Sequence, residues 1–124
     1  MYIILYIIML LMVVMDKKRV YSQYSKLAAQ LLGKAVRLAR KERRFTAQEL
    51  ANRAGITRVT LASIEKGDMR CEIGLVFEVA SLVGIRLFDA DETGIKMGIN
   101  QINDKIALLP KSVYPTSKVV IDDF

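Results

Sequence analysis

A short stretch of the chain, Thr57 to Gly67, carries side chains that a packed core does not need. If the stretch is helical, Leu61 and Ile64 lie three residues apart on its inner face. Four residues of its first two turns then face outward: Arg58, Val59, Ala62 and Ser63. Their small and medium side chains let such a helix enter the major groove of DNA, about 12 Å wide, and an arginine there can reach base edges or phosphates. No acid occupies the first turn, so its positive end is open to an anion.

The inventory of reactive side chains argues against catalysis. The 124 residues include no His and one Cys, which excludes zinc clusters, histidine general bases, serine–histidine triads and disulfide frameworks. The lone Cys71 is most simply a small buried apolar residue, and one free thiol fits a reducing compartment. We therefore expect a cytoplasmic protein that is not an enzyme and that requires no cofactor, metal or small-molecule substrate.

The formal net charge of +6 is unevenly distributed along the chain. Residues 16–70 hold 14 Lys/Arg against 5 Asp/Glu, whereas residues 71–124 hold 5 against 8. A basic segment followed by an acidic one indicates a polyanion as one partner and a different molecule as another. A basic surface that serves only solubility remains the alternative.

A basic, amphipathic first helix is predicted from about Ser22 to Arg43. Its apolar residues form two adjacent rows, and its other face is strongly basic. The rows consist of Leu27, Leu31, Ala35 and Leu38, and of Leu32, Val36 and Ala39.

Two shorter helices follow, and their boundaries are marked by capping residues. Thr46 and Glu49 have the spacing of a capping box for a helix that begins at Ala47, and Gly55 can end that helix in the left-handed conformation. Thr57 then caps a third helix. Two short helices joined by a glycine-containing turn of three to four residues define a helix-turn-helix, although a plain αα-hairpin has the same outline.

The segment LGKAVRLARKERRFTAQELANRAGITRVTLASIEKGD resembles the Xre and lambda-repressor-like helix-turn-helix proteins, and the resemblance extends over about Leu32 to Ile85. It implies an all-α fold, a compact lambda-repressor-like bundle of about five helices, and a double-stranded DNA operator as partner. It also implies a salt bridge between Arg40 and Glu65, where the alternative is a Glu65 that is solvated beside Lys66. The residues expected to contact DNA are Gln48, Thr57, Arg58, Val59, Thr60, Ser63 and Lys66. Val59 departs from the family, which often has a polar residue there; contact with a thymine methyl group is its natural role.

Two further helices are predicted beyond Gly67. The first carries a core stripe of Ile73, Val76, Phe77, Ala80 and Val83 and ends at Gly84. The second, from about Glu92 to Leu108, carries an apolar seam of Ile95, Ile99, Ile102 and Ile106. Because Gly94 and Gly98 weaken this helix, it needs a packing partner. We expect a second copy of the chain rather than the chain's own core, since two-fold symmetry sets half-site spacing in DNA-reading proteins of this class.

The C-terminal segment from residue 110 is too short and too polar for a domain, and its composition alone predicts a disordered tail. Its LPKSVY motif and terminal DDF resemble the ending of Hip-type antitoxins, which are paired with a HipA-like kinase toxin. The resemblance implies such a kinase as partner. Because apolar side chains such as Tyr114, Ile121 and Phe124 have little reason to stay in water, we expect them to bind it. The alternative is a stand-alone or membrane-tethered Xre-type regulator without a toxin.

The first 15 residues, MYIILYIIMLLMVVM, contain no charged side chain. They are short for a transmembrane helix, which needs about 20 apolar residues, and they lack the basic n-region and cleavage site of a signal peptide. We favour translation from Met15; a membrane contact is expected only if residues 1–15 are genuine. The expected organisation is therefore an apolar leader (1–15), a DNA-binding domain (16–88), a C-terminal helix for dimerisation (89–109) and an extended tail (110–124).

Overall fold

The computed structural model describes residues 2–15 and 19–115. These residues form six α-helices, one short 3₁₀ turn at Leu87–Asp89, and no β-strand, so the predicted all-α fold is confirmed for the described part of the chain. The α-helices are α1 (Tyr2–Met15), α2 (Gln23–Glu42), α3 (Ala47–Ala54), α4 (Arg58–Lys66), α5 (Ile73–Leu82) and α6 (Glu92–Ala107). The chain divides into two compact units, Met1–Ile85 and Arg86–Phe124.

Four of the described helices begin where a side chain accepts a hydrogen bond from a free backbone N–H group. Ser22 caps α2, Thr46 caps α3 and Thr57 caps α4, each accepting a hydrogen bond from the N–H three residues later. In the second unit Asp91 caps α6 in the same way. A cap of this kind stabilises a helix by about 1 kcal/mol relative to alanine, so the short helices of the chain start at fixed residues.

The core of the first unit lies where α2 packs on α4, and where α3 packs on α4 and α5. The buried apolar side chains come from these four helices and from the residue that follows α5: Val36, Leu50, Ala51, Leu61, Ile64, Val79, Ala80 and Val83. Because α4 is packed on one side by α2 and on the other by α3, its position is fixed by two contacts.

On α2 and α5, some of the apolar residues that the sequence pattern places on the inner face are exposed. On α2, Val36 is fully buried, but Leu27, Leu31 and Leu38 are exposed, Leu31 by 72%. The helix turns the row of Leu32, Val36 and Ala39 toward its neighbours, because the small Gly33 beside that row allows α4 to approach. The row of larger leucines is left on the surface.

The predicted core stripe of α5 is wrong at two positions. Ile73 is exposed and Phe77 lies at the surface, whereas Val79, which is not in the stripe, is fully buried. The helix is apolar nearly all round, so its sequence does not specify which face packs on α3. Cys71, just before this helix, is half-buried rather than buried, and burial raises the pKa of its thiol.

The apolar seam of α6 is exposed. Ile95, Ile99, Ile102 and Ile106 have between 38 and 60% of their surface accessible. At the other end of the chain, the side chains of residues 2–11 of α1 are also exposed. Among the residues that the structure describes, no helix combines the length and the apolar character required to cross a membrane.

Candidate nucleic-acid interface

The turn between α3 and α4 is short and built from local hydrogen bonds. Gly55 ends α3 with a left-handed φ of 69°, a conformation that glycine adopts without the steric penalty of a Cβ atom. The Ile56 N–H donates to the Ala51 carbonyl at 3.0 Å, and the Thr60 N–H donates to Thr57 Oγ1 at 3.1 Å. Three residues, Gly55 to Thr57, thus reverse the chain, and α3 and α4 form the predicted helix-turn-helix.

The buried and exposed faces of α4 are sharply divided. Leu61 and Ile64 are buried. Along the opposite side, Val59, Ala62 and Lys66 form an exposed row, in which Val59 is 77% accessible. Val59 and Lys66 are seven residues apart, which is two helical turns, so both lie on one line along the helix. This outward row is the surface that α4 offers to a ligand.

The remaining predicted contact residues lie around the start of this row. Thr57 and Arg58 are exposed, and Thr60 and Ser63 are half-buried on its flank. Because the first turn of α4 contains no acidic residue, its free N–H groups and positive dipole end are available to an anion. Helix α4, nine residues long, measures about 13.5 Å, which is comparable to the major-groove width of about 12 Å in B-DNA.

Gln48 lies in the first turn of α3 and is exposed. Its Nε2 donates to Asn52 Oδ1 at 2.8 Å, so the amide is held along the helix surface while its other donor is free to bind. A side-chain amide beside a helix N-terminus suits a phosphate oxygen.

Arg40 and Glu65 join α2 to the end of α4 through a two-pronged ion pair. Arg40 Nε donates to Glu65 Oε2 at 2.7 Å, and Nη2 donates to Oε1 at 3.1 Å. A third donor, Nη1, bonds the Phe45 carbonyl at 3.0 Å. The two side chains are 11% and 9% exposed. The structure therefore places Glu65 against Arg40 rather than in solvent beside Lys66.

The electrostatic effect of this pair is to neutralise the one acidic side chain of α4. The hydrogen bonds that Arg40 donates to Glu65 raise the pKa of Arg40 above its usual value, against the opposing effect of burial. Two parallel N–H···O bonds also fix the angle between the guanidinium and carboxylate planes. The pair thus neutralises Glu65 and holds the end of α4 to α2 at the same time.

Arg70 is a further residue at this surface that the sequence reasoning missed. It lies in the loop after α4, and with Val59, Thr60 and Ser63 it lines a surface depression of about 380 Å³. Its guanidinium donates to both carboxylate oxygens of Asp68, at 3.2 and 3.0 Å. The Asp-x-Arg spacing after Gly67 could have predicted it. An aspartate can accept a hydrogen bond from the backbone N–H two residues later, which closes a tight turn.

The Asp68–Arg70 pair keeps its charges over the whole physiological range. Hydrogen bonds from Arg70 lower the pKa of Asp68 to about 2. A group whose folded pKa is depressed loses its contribution only as the pH falls through that value, so this pair does not change near neutral pH. Arg70 is 83% exposed and can also bind a phosphate.

The described residues hold no cluster of potential metal ligands beside this surface. No group of three or more His, Cys, Asp or Glu side chains is arranged to hold a metal ion within residues 2–15 and 19–115. What the surface offers is binding chemistry: hydroxyl groups, an amide, an arginine fork and an apolar side chain on one helix-turn-helix.

The predicted kinase-binding residues lie far along the chain from this surface. Tyr114 is exposed at the end of the described region, whereas Ile121 and Phe124 lie outside the described residues.

Comparison with known protein families finds a match to the central part of the chain. The helix-turn-helix family model matches residues 36–89, a segment that begins within α2 and continues through α3, α4, α5 and the 3₁₀ turn. No curated protein matches the chain. The chain is similar to two solved structures, a HipB variant in complex with an O2 20mer and an MDT protein. Each is 21% identical with a TM-score of 0.46, and the similarity covers 62% and 61% of this chain and 99% of the other.

The Arg40–Glu65 ion pair can be tested with a double-mutant cycle. Arg40→Ala and Glu65→Ala should each destabilise the fold, because each leaves a largely buried charge without its partner. The double variant should lose less than the sum, with a coupling of about 0.5 to 3 kcal/mol. Urea unfolding of the four proteins measures it, and strictly additive losses would show that the two side chains act independently.

Proposed function

We propose that the protein is a sequence-specific DNA-binding transcriptional repressor, because the helix-turn-helix family model matches residues 36–89. The observation that carries the proposal is the outward row of α4, which is free of acidic side chains while the one acid near its end, Glu65, is paired with Arg40. We further propose that the repressor is cytoplasmic and acts as the antitoxin of a HipA-like kinase.

In this proposal α4 lies in the major groove of the operator. Arg58 bonds base edges, where guanine offers two acceptors to a guanidinium. Val59, exposed and apolar, packs against a thymine methyl group, and Ser63 reads a base through its hydroxyl. These contacts supply specificity, because they depend on which base is present.

Phosphate contacts set the register of the protein on the duplex. Thr57 and Thr60 lie at the N-terminus of α4 and Gln48 at the N-terminus of α3, where backbone N–H groups also face an anion. Lys66 meets a phosphate at the opposite end of α4. The excess of basic residues over acidic residues in residues 16–70 adds attraction that does not depend on sequence.

A homodimer provides the second half of the operator. The exposed isoleucine seam of α6 supports this proposal. Four isoleucines on one face of a 16-residue helix form a contiguous apolar patch, and such patches mark interaction sites. Packing the seam against the same seam of a second copy buries it in a two-fold interface. Two recognition helices then read two half-sites.

The antitoxin role rests on the C-terminal tail. Tyr114 and Val113 are exposed, and the sequence that follows combines an apolar Val119–Ile121 run with two aspartates and a terminal Phe124. Such a segment can add a strand to a sheet edge on a partner, with the aromatic ring as its anchor. If no kinase binds the tail, the protein is instead a stand-alone Xre-type regulator.

The DNA contacts can be separated by substitution. Arg58→Ala and Ser63→Ala should each weaken binding to an operator selected from a random pool, by about 1 to 3 kcal/mol for a lost base contact, and should change binding to random DNA much less. Lys66→Ala should weaken both alike and lower the salt dependence by a slope of about 1. Equal losses on selected and random DNA for Arg58→Ala would exclude it from base readout.

The dimer can be tested on α6. Ile102→Asp places a charge in the seam and should convert a dimer to a monomer in sedimentation equilibrium, because the charge would be desolvated in the interface. Gln101→Asp is the matched control, since it adds the same charge on a different face of the same helix and should leave the dimer intact. A wild-type chain that sediments as a monomer at high concentration would contradict the proposal.

The antitoxin role can be tested by removing the tail. Deleting residues 111–124 should leave folding and operator binding intact, because every buried core residue of the described chain lies between Val36 and Val83. It should abolish or strongly weaken capture of a co-expressed HipA-like kinase. If the truncated protein still copurifies with the kinase at wild-type yield, the tail does not bind it, and the interface lies elsewhere, with α6 as the next candidate.

A further inference from the structure

A second basic surface lies beside the recognition helix. It is a depression of about 420 Å³ between α2 and the C-terminal end of α4. Four basic side chains line it, three from α2 and one from α4: Lys34, Arg37, Lys41 and Lys66. We call it the α2 basic depression.

The charge of this depression is not balanced by the acids nearby. Glu65 is its one acidic lining residue, and both oxygens of that carboxylate are bonded by Arg40. None of the four lining cations forms an ion pair with an acid in the described parts of the chain. The depression therefore holds four positive charges and one carboxylate that is already neutralised.

The cations of α2 form a regular row. Lys34, Arg37 and Lys41 are spaced by three and four residues, so they share one face of the helix, and all three are exposed. From the first to the last the helix rises about 10 Å. One strand of B-DNA carries a charge every 3.4 Å along its axis, so the row spans about three phosphates.

Lys66 connects this row to the proposed DNA surface. It lines the α2 basic depression and also stands at the end of the outward row of α4, two turns after Val59. A DNA strand that contacts Lys66 therefore also reaches the depression that the three cations of α2 line.

We propose that the α2 basic depression is a second DNA-backbone site, which binds the phosphates of one strand beyond the end of α4. The inference rests on the proposed function and extends its contact surface to Lys34, Arg37 and Lys41. A polyanion with regularly repeated charges is favoured over an acidic protein segment, because the lining offers a periodic row of cations and, in Leu38, one apolar side chain.

The test compares two triple variants with the same loss of charge. One carries Lys34→Gln, Arg37→Gln and Lys41→Gln. The control carries Arg86→Gln, Lys105→Gln and Lys111→Gln, which are exposed residues of the second unit and likewise one arginine and two lysines. Circular dichroism and urea unfolding establish that both are folded. Binding to a random-sequence duplex is then measured over a range of salt concentrations.

We expect the α2 variant to lower the salt slope by about 2 to 3, since each phosphate contact contributes about 0.9. Between about 50 and 200 mM salt, the wild-type protein should then lose roughly 40-fold more affinity than the α2 variant. The control variant should keep the wild-type slope. Poly-glutamate is the second probe, as a mimic of an acidic protein segment.

The outcomes separate this proposal from the function on which it rests. If the wild-type chain binds the duplex and Arg58→Ala weakens it on a selected operator, but the α2 variant keeps the full slope, only the second site is overturned. An unchanged DNA slope with loss of poly-glutamate binding would assign the depression to an acidic protein partner and also overturn it. If the wild-type chain shows no salt-dependent binding to any duplex, the proposed function fails and this site with it.

Discussion

The contact between α2 and the C-terminal half of α4 is the constraint on which the rest of the site depends. At Gly33 the two backbones approach so closely that a Cβ atom would lie 2.5 Å from the Ile64 carbonyl oxygen. At Gly67 a Cβ atom would lie 2.7 Å from the Cα atom of Gln30. No side chain larger than hydrogen fits at either position without moving a helix. The Arg40–Glu65 pair then closes the same contact with directional bonds.

This contact determines which side chains of α4 face outward and how tightly the orientation of the helix is held. Packing fixes the depth of the helix against α2, and the guanidinium fork fixes its rotation, because two parallel hydrogen bonds tolerate little twist. The rotation in turn decides that Val59 and Lys66 face outward while Leu61 and Ile64 face the core. A buried ion pair contributes little net stability but makes one arrangement strongly preferred over others, since a broken pair leaves an uncompensated charge.

The sequence predicts the helices of this chain well because their signals are local. Thr46, Thr57, Gly55 and Gly67 act on neighbouring backbone groups, and the structure uses each of them as a cap. The turn and the two short helices could therefore be located to the residue. The inward residues Leu61 and Ile64 could also be identified, because they are the large apolar pair of α4 at the three-residue spacing of one helix face.

Which face of α2 and α5 is buried could not be predicted in the same way. Two adjacent rows of apolar residues on α2 satisfy the same helical period, and the choice between them depends on Gly33, whose role appears only when α4 lies against it. On α5, apolar residues surround the helix, so Ile73 and Val79 are equivalent in pattern and differ only in tertiary contact. Arg70 was missed because its place beside Val59 and Ser63 arises from the fold of the loop.

The exposed leucines of α2 indicate that close packing between α2 and α4 takes precedence over burial of the largest apolar side chains. Filling the core with Leu27, Leu31 and Leu38 would bury more apolar area per residue than Val36 and Ala39 do, but large side chains would hold α4 away from α2. The small residues Gly33, Val36 and Ala39 permit a close approach, and only a close approach brings Arg40 within 2.7 Å of Glu65. Some hydrophobic stabilisation is thus forgone in favour of a fixed position for α4. A fixed position of α4 matters for the proposed DNA contacts, since a contact displaced by about 1 Å loses its hydrogen bond.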